Sequence, residues 1–164
     1  MDFHTLCIGC RTYRRFKQKQ IPEKVLDELL ENARIANSAM NGQPLRYVLV
    51  KNPEAVRKIQ PCFHFAAALP KELGQPKEGE QPTAFIILCT EGPETPWTGI
   101  DIGIAVRTMN LNAYIYGIGS CIIGNVEFEK VKEILSIPET WIPRLALALG
   151  YPSHKSTIVE LPED

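Results

Sequence analysis

Residues 83–90, Thr83-Ala84-Phe85-Ile86-Ile87-Leu88-Cys89-Thr90, form an almost unbroken apolar run of strand length. Successive side chains of a strand face opposite sides of a sheet, so a strand with one wet face alternates apolar with polar, and a continuous run requires both faces to be covered. The run therefore predicts a strand in the middle of a sheet with other elements packed above and below it. Its flanks bound it: residues 70–82 (PKELGQPKEGEQP) are rich in proline, glycine and charge with no apolar period and predict a surface loop, and a second loop, EGPETPWTG, follows at 91–99.

Working upstream, Leu45 to Val50 is short, β-branched in part and closed by Asn52-Pro53, which predicts a strand feeding a short helix from Glu54 to Ile59. Before it, Pro22 and Glu23 open a segment with Val25, Leu26, Leu29, Leu30 and Ala33 on one helical face, an amphipathic helix ending near Ala36. The polar stretch Asn37 to Pro44 connects that helix to the strand. Downstream, Ile102, Ala105, Val106, Met109, Ala113 and Tyr116 recur at helical spacing from Ile100, and Gly117 ends the run as a cap. Ser120 to Ile123 and Leu145 to Leu149 read as strands, and Phe128 to Leu135 as a helix. Helices and buried strands interleave, so the expectation is one α/β or α+β domain over residues 1–164, with helices on both faces of a small sheet and a tail at 155–164.

With 164 residues, 45% hydrophobic and 23% charged, the chain can bury a core of its own. A net charge of −1 provides no basic field for a nucleic acid backbone or an anionic membrane, so neither is an expected partner. No stretch reaches the roughly 18 apolar residues of a membrane span, and MDFHTLCIGC lacks the charged and apolar regions of a secretion signal, so a cytoplasmic protein is expected. Five cysteines, an odd set without repeated spacing, argue against a disulfide framework and for free thiols.

Three segments could carry chemistry. Arg11-Thr12-Tyr13-Arg14-Arg15-Phe16 gathers three guanidiniums and a threonine hydroxyl in a chain with no net positive charge. A guanidinium fork grips phosphate through two hydrogen bonds, so Arg11, Thr12 and Arg14 suit a phosphate monoester; a solvated basic turn is the competing use. Asn37-Ser38-Ala39-Met40-Asn41-Gly42-Gln43-Pro44 offers Ser, Asn and Gln groups to the edge of a heterocycle, against the ordinary use of such residues in a turn. Gly117-Ile118-Gly119-Ser120-Cys121-Ile122-Ile123-Gly124 would let a ring approach the backbone, but follows a helix rather than a strand and so lacks the dinucleotide fingerprint. His4, Cys7 and Cys10 form His-x-x-Cys-x-x-Cys, soft ligands or a redox pair, with no second ligand pair to complete a zinc site. His64 close to Cys62 carries no catalytic geometry by proximity in sequence, and no acyl-transfer, nucleotide-hydrolysis or zinc-protease motif is present.

Taken in order, these segments resemble the FMN-dependent nitroreductase family, in which an Arg-x-Ser-x-Arg-like start precedes the first helix and a Pro-Ser-x-x-Asn-x-Gln-Pro-like loop follows it. The likeness continues through Asp101-x-Gly103-x-Ala105, Met109-x-Leu111-x-Ala113, Gly117-x-Gly119-Ser120-Cys121-x-x-Gly124, Ile137-Pro138-Glu139 and Leu149-Gly150-Tyr151-Pro152. Residues 60–82 and the last ten match least. The resemblance implies an α+β fold with a small, mainly antiparallel central sheet flanked by helices, and a homodimer with flavin at the dimer interface.

By the same resemblance, Arg11, Thr12 and Arg14, with Lys155 as a further contact, would hold the FMN phosphate. Ser38, Ala39, Met40, Asn41 and Gln43 would approach the flavin, partly from the partner subunit, and Ile123 and Gly124 would lie beside its N5 edge. The implied reaction is a ping-pong cycle in which NADH or NADPH reduces FMN and a small electron-poor acceptor, a nitroaromatic or quinone, reoxidises it; an FMN-binding sensor, storage or delivery protein is the alternative. The sequence departs from the pattern at Asn37, where proline is usual, at Met40, where a small residue is common, and in its acidic end, Glu160 to Asp164. The chain is short for the family, which makes residues 62–82 the expected lid.

Overall fold

The run at 83–90 is strand β3, Ala84–Glu91, and every side chain from Ala84 to Thr90 is buried. The computed structural model describes residues 1–66 and 69–159. In chain order these form α1 (Phe3–Gly9), β1 (Phe16–Lys17), α2 (Glu23–Arg34), β2 (Leu45–Val50), α3 (Pro53–Ile59), α4 (Lys71–Gly74), β3, α5 (Thr98–Ile115), β4 (Gly119–Ile123), α6 (Phe128–Leu135) and β5 (Trp141–Pro152), with short 3-10 turns at Ala39–Asn41 and Gln60–Cys62.

β3 runs antiparallel between β2 and β5, and β5 also pairs antiparallel with β4 and with β1. The continuous apolar sequence of β3 serves two cores. Ala84, Ile86 and Leu88 join Leu147 and Leu149 beneath Leu26 and Leu29 of α2 and Ala105, Met109 and Ala113 of α5. Phe85, Ile87 and Cys89 join Ala146 and Ala148 on the other face, against Val56 and Ile59 of α3 and Val131 of α6. The Phe85 ring stacks on Phe63 at 4.4 Å. Burying such a side chain removes about 1.5–3 kcal/mol of apolar exposure each, and here both faces contribute.

The expected fold is borne out as α+β: the named ladders are all antiparallel, with helices on both sides of the sheet. Two local expectations are corrected, and one element was not foreseen. The N-terminal residues form α1, whose cap is Asp2, accepting from the Thr5 N–H at 3.0 Å and from the Thr5 hydroxyl at 2.6 Å. The loop at 70–82 contains one helical turn, α4. β5 begins at Trp141 instead of Leu145, because Pro143, which has no N–H to give a ladder, sits beside a register shift between Leu88 and Cys89 and does not end the strand. The acidic end Glu160 to Asp164 lies outside the described residues. Gly117 follows α5 at φ 68°, the left-handed position that glycine supplies without a steric cost.

Candidate functional site

The polar loop after α2 is a strained turn. Met40, Asn41 and Gln43 all have positive φ, at 52°, 53° and 45°, a conformation that costs a non-glycine residue on the order of 1 kcal/mol or more. One carboxylate from α5 holds it. Asp101, only 4% exposed, accepts the Ser38 hydroxyl and the Ala39 N–H, both at 2.9 Å. Asp101 lies in the first turn of α5, where the partial positive charge of a helix N-terminus favours an anion. Ser38 Oγ in turn accepts the Gln43 N–H at 3.0 Å, and Gln43 Nε2 donates to Asn41 Oδ1 at 3.0 Å. The hydroxyl proton of Ser38 is thus spent on shaping the loop, while Met40 stands 87% exposed at its tip.

Behind the loop, Ser38, Gln43, Tyr47, Asp101 and Ala105 line a cavity of about 130 Å³. Burial, reinforced by the Asp101 charge, pushes the Tyr47 phenol up to about 12. The cavity is smaller than the roughly 300 Å³ at which ligand pockets begin.

The basic turn is strapped to the start of β4. Thr12 bridges Ser120, and the Tyr13 N–H donates to the Ser120 carbonyl at 2.9 Å. Gly119 makes room for this: a Cβ there would come within 2.8 Å of the Tyr13 ring. Ser120 Oγ donates to Asn110 Oδ1 of α5 at 3.1 Å in a buried contact. The three arginines then part company. Arg15 is structural, its Nε 3.3 Å from Glu80 and its Nη2 donating to the Leu73 carbonyl at 3.0 Å. Arg11 donates through Nη2 to the Cys7 carbonyl. The Nε atoms of Arg11 and Arg14 are buried without a hydrogen-bond partner. A buried charged donor left unpaired is costly, so this pair fits an anionic ligand.

Lys155 is exposed, and its segment is drawn to the basic turn by the Ser153 N–H, which donates to the Arg15 carbonyl at 3.1 Å, and by the His154 ring, 5.5 Å from that of Tyr13. Ile123 is 4% exposed at the end of β4, and Gly124 beyond it is open, a Cβ there meeting only Leu145 at 3.9 Å. The basic turn reaches α5 through Ser120, which donates to Asn110, and the polar loop reaches it at Asp101; the two α5 residues are nine positions, or roughly 14 Å, apart along the axis. Sequence reasoning missed the roles of Asp101 and of the Asn110–Ser120 pair; a carboxylate and an amide on an otherwise apolar helix face are the signal that marks them.

Residues 9–151 match the family model described as the Nitroreductase family. The chain belongs to the nitroreductase family. A provisionally named NADH dehydrogenase/NAD(P)H nitroreductase of Methanothermobacter thermautotrophicus is 29% identical over 151 residues, covering 88% of this chain and 74% of that protein. An FMN reductase (NADPH) of Bacillus subtilis is 26% identical over 159 residues, covering 89% and 64%. Among solved structures, a nitroreductase family protein from Streptococcus pneumoniae superposes with a TM-score of 0.78 at 20% identity, covering 98% of this chain and 96% of that one. The structural likeness carries the fold, and the family match carries the reaction class: this chain is an oxidoreductase. The partnerless Nε atoms of Arg11 and Arg14 fit the phosphate of FMN, and the open backbone at Gly124 fits the close approach of a flat ring.

Proposed function

We propose that this member of the nitroreductase family passes electrons from NADH or NADPH, through FMN bound between two copies of the chain, to small electron-poor acceptors such as nitroaromatics or quinones, in two alternating half-reactions at one site. Its FMN and NAD(P)H dependence follows from the family and agrees with relatives named FMN reductase and NAD(P)H nitroreductase. The observation that carries the site is the pair of buried guanidinium Nε atoms without a partner, on a turn fixed to β4.

In this reading Arg11, Thr12, Arg14 and Lys155 neutralise and orient the phosphate. Ser38 and Ala39, tied to Asp101, would hold Met40, Asn41 and Gln43 against the ring, and the backbone at Ile123 and Gly124 would offer an N–H to its N5 edge, the position that takes up hydride. FMN supplies the two-electron carrier; the chain positions it, excludes water around it and limits what can stack on it. A second copy is supported by α5, which is apolar on its outer side as well as its inner one: Trp97, just before it, and Ile100, Ile104 and Ile115 are 36–57% exposed. Gly99 and Gly103 on that side have nothing within 4 Å of a built Cβ, leaving room for another backbone. All five cysteines are free thiols, which suits the reducing cytoplasm.

The deciding measurement is the visible spectrum of the purified protein before and after NADH or NADPH is added without oxygen. Flavin bands that bleach, and return when a quinone is added, support the reading. Flavin that stays oxidised with either nicotinamide favours storage or delivery, and a protein that refuses added FMN overturns both.

A further inference from the structure

The sequence Cys7-Ile8-Gly9-Cys10 closes α1, and nothing in the proposed reaction uses its thiols. A metal role is not what the fold builds: among the described residues no group of three His, Cys, Asp or Glu side chains is placed to hold an ion, so His4 does not complete a ligand set with the two cysteines. What the fold builds is a dithiol at helical spacing. Cys10 lies at the helix C-cap with its N–H donating to the Leu6 carbonyl at 3.0 Å, so Cys7 and Cys10 are one turn apart, with Cα atoms about 5 Å from one another. That lies inside the 4.4–6.8 Å range that disulfides span.

The surroundings divide the two thiols into different roles. Cys7 is part-exposed and open to attack from solvent, whereas Cys10 is 7% exposed. Cys10 Sγ lies 3.5 Å from the Arg107 Nη1 donor and 3.5 Å from the Asn110 carbonyl. Burial raises the Cys10 thiol, and the Arg107 guanidinium offsets only part of that rise. A thiolate that forms there has a cation beside it. The remaining three cysteines, Cys62, Cys89 and Cys121, are buried around the sheet, where two are pushed up to about 11 by burial. They are inert by comparison.

We infer that Cys7 and Cys10 form a reversible intrachain disulfide, with a low-molecular-weight disulfide as oxidant, and that its closure alters the hold of Arg11 on its anion. The Cys7 thiolate attacks one sulfur of the oxidant, forming a mixed disulfide and expelling one thiolate. Cys10, having released its proton to solvent, attacks Cys7 Sγ, forming the Cys7–Cys10 bond and expelling the second thiolate, which takes up a proton. Two protein thiols are oxidised and one small disulfide is reduced to two thiols. The bond draws Cys10 Sγ away from Arg107 and Asn110 and tightens the turn whose Cys7 carbonyl receives Arg11, the residue next in chain to Cys10. The second half of the inference rests on the assignment of Arg11 to the FMN phosphate.

The test is to equilibrate the FMN-loaded protein in a series of reduced and oxidised glutathione ratios, block remaining thiols with a maleimide and measure the mass of the Cys7–Cys10 peptide. The expected result is one two-electron transition in which this peptide loses both maleimides and two hydrogens, absent in Cys7→Ser. The oxidised protein is expected to hold FMN at least about tenfold more weakly in equilibrium dialysis, the scale of one weakened charge-assisted contact. Two maleimides retained at the most oxidising ratio, or a glutathione adduct on Cys7 that Cys10 never displaces, overturns the disulfide. A disulfide with unchanged FMN affinity overturns the link to Arg11, and a protein that binds no FMN in either state overturns the functional reading without touching the mass measurement.

Discussion

At the scale of single residues, the site separates polar groups left without a protein partner from polar groups spent on structure. Arg14 belongs to the first kind, with a buried Nε that has no protein partner. Arg14→Ala should weaken FMN binding by about 1.5–3 kcal/mol, measured by fluorescence titration, and an unchanged affinity would mark the turn as scaffold. Asp101 belongs to the second kind. Its charge acts on Tyr47 as well as on the loop, so in Asp101→Asn the Tyr47 phenol should titrate nearer its ordinary value, read from tyrosinate absorbance. The sign of the wild-type effect follows: the folded protein holds the Tyr47 proton up to about 12 while the unfolded chain releases it near 10.0, so this contribution to stability is intact below the lower value and lost as pH rises through the window. A stability plateau across that window would contradict it. The polar chemistry of the 38–43 loop competed with an ordinary turn when read locally, and the family resemblance is what singled its residues out as candidates. Their dependence on Asp101 was not legible, because a partner some sixty positions away leaves no trace in a local pattern.

Among elements, legibility followed the strength of the apolar period. β3 was readable because it is buried on both faces, and α2 because Leu26, Leu29 and Ala33 form one buried stripe. α1 was missed because none of its seven residues is buried, so it has no stripe to show. β5 was read short because proline within a strand ordinarily ends it. Two glycines at the contact of β4 and β5 with the basic turn were legible only as flexible points, yet packing is what fixes them. A Cβ on Gly150 would fall 2.8 Å from the Phe16 Cβ and Cγ, and Phe16 is 1% exposed with nowhere to go. Gly150→Ala should therefore destabilise the fold by about 1–3 kcal/mol, seen as a lower urea midpoint at unchanged slope. Wild-type stability would show that β1 can shift aside.

At the scale of the whole molecule, interleaved helices and strands predicted a two-faced sheet, but pairing direction is not encoded in periodicity; the family resemblance chose α+β over α/β, and the antiparallel ladders bear that choice out. The exposed isoleucines of α5 carry the prediction of a dimer. Sedimentation should give twice the 18.4 kDa of one chain, and Ile104→Glu should yield monomers that lose FMN, while monomers that retain flavin would place the whole site within one subunit. The sheet also has a hub, since β5 pairs with β1, β3 and β4, and each of them precedes it in the chain. During synthesis the ribosome delivers those three before their common partner. Until Pro152 emerges, β2 and β3 can pair with each other, but the far edge of Ala84–Glu91 stays bare, so the nascent chain is at its stickiest just before it is able to fold, and anything that delays translation through residues 141–152 prolongs its need for a chaperone.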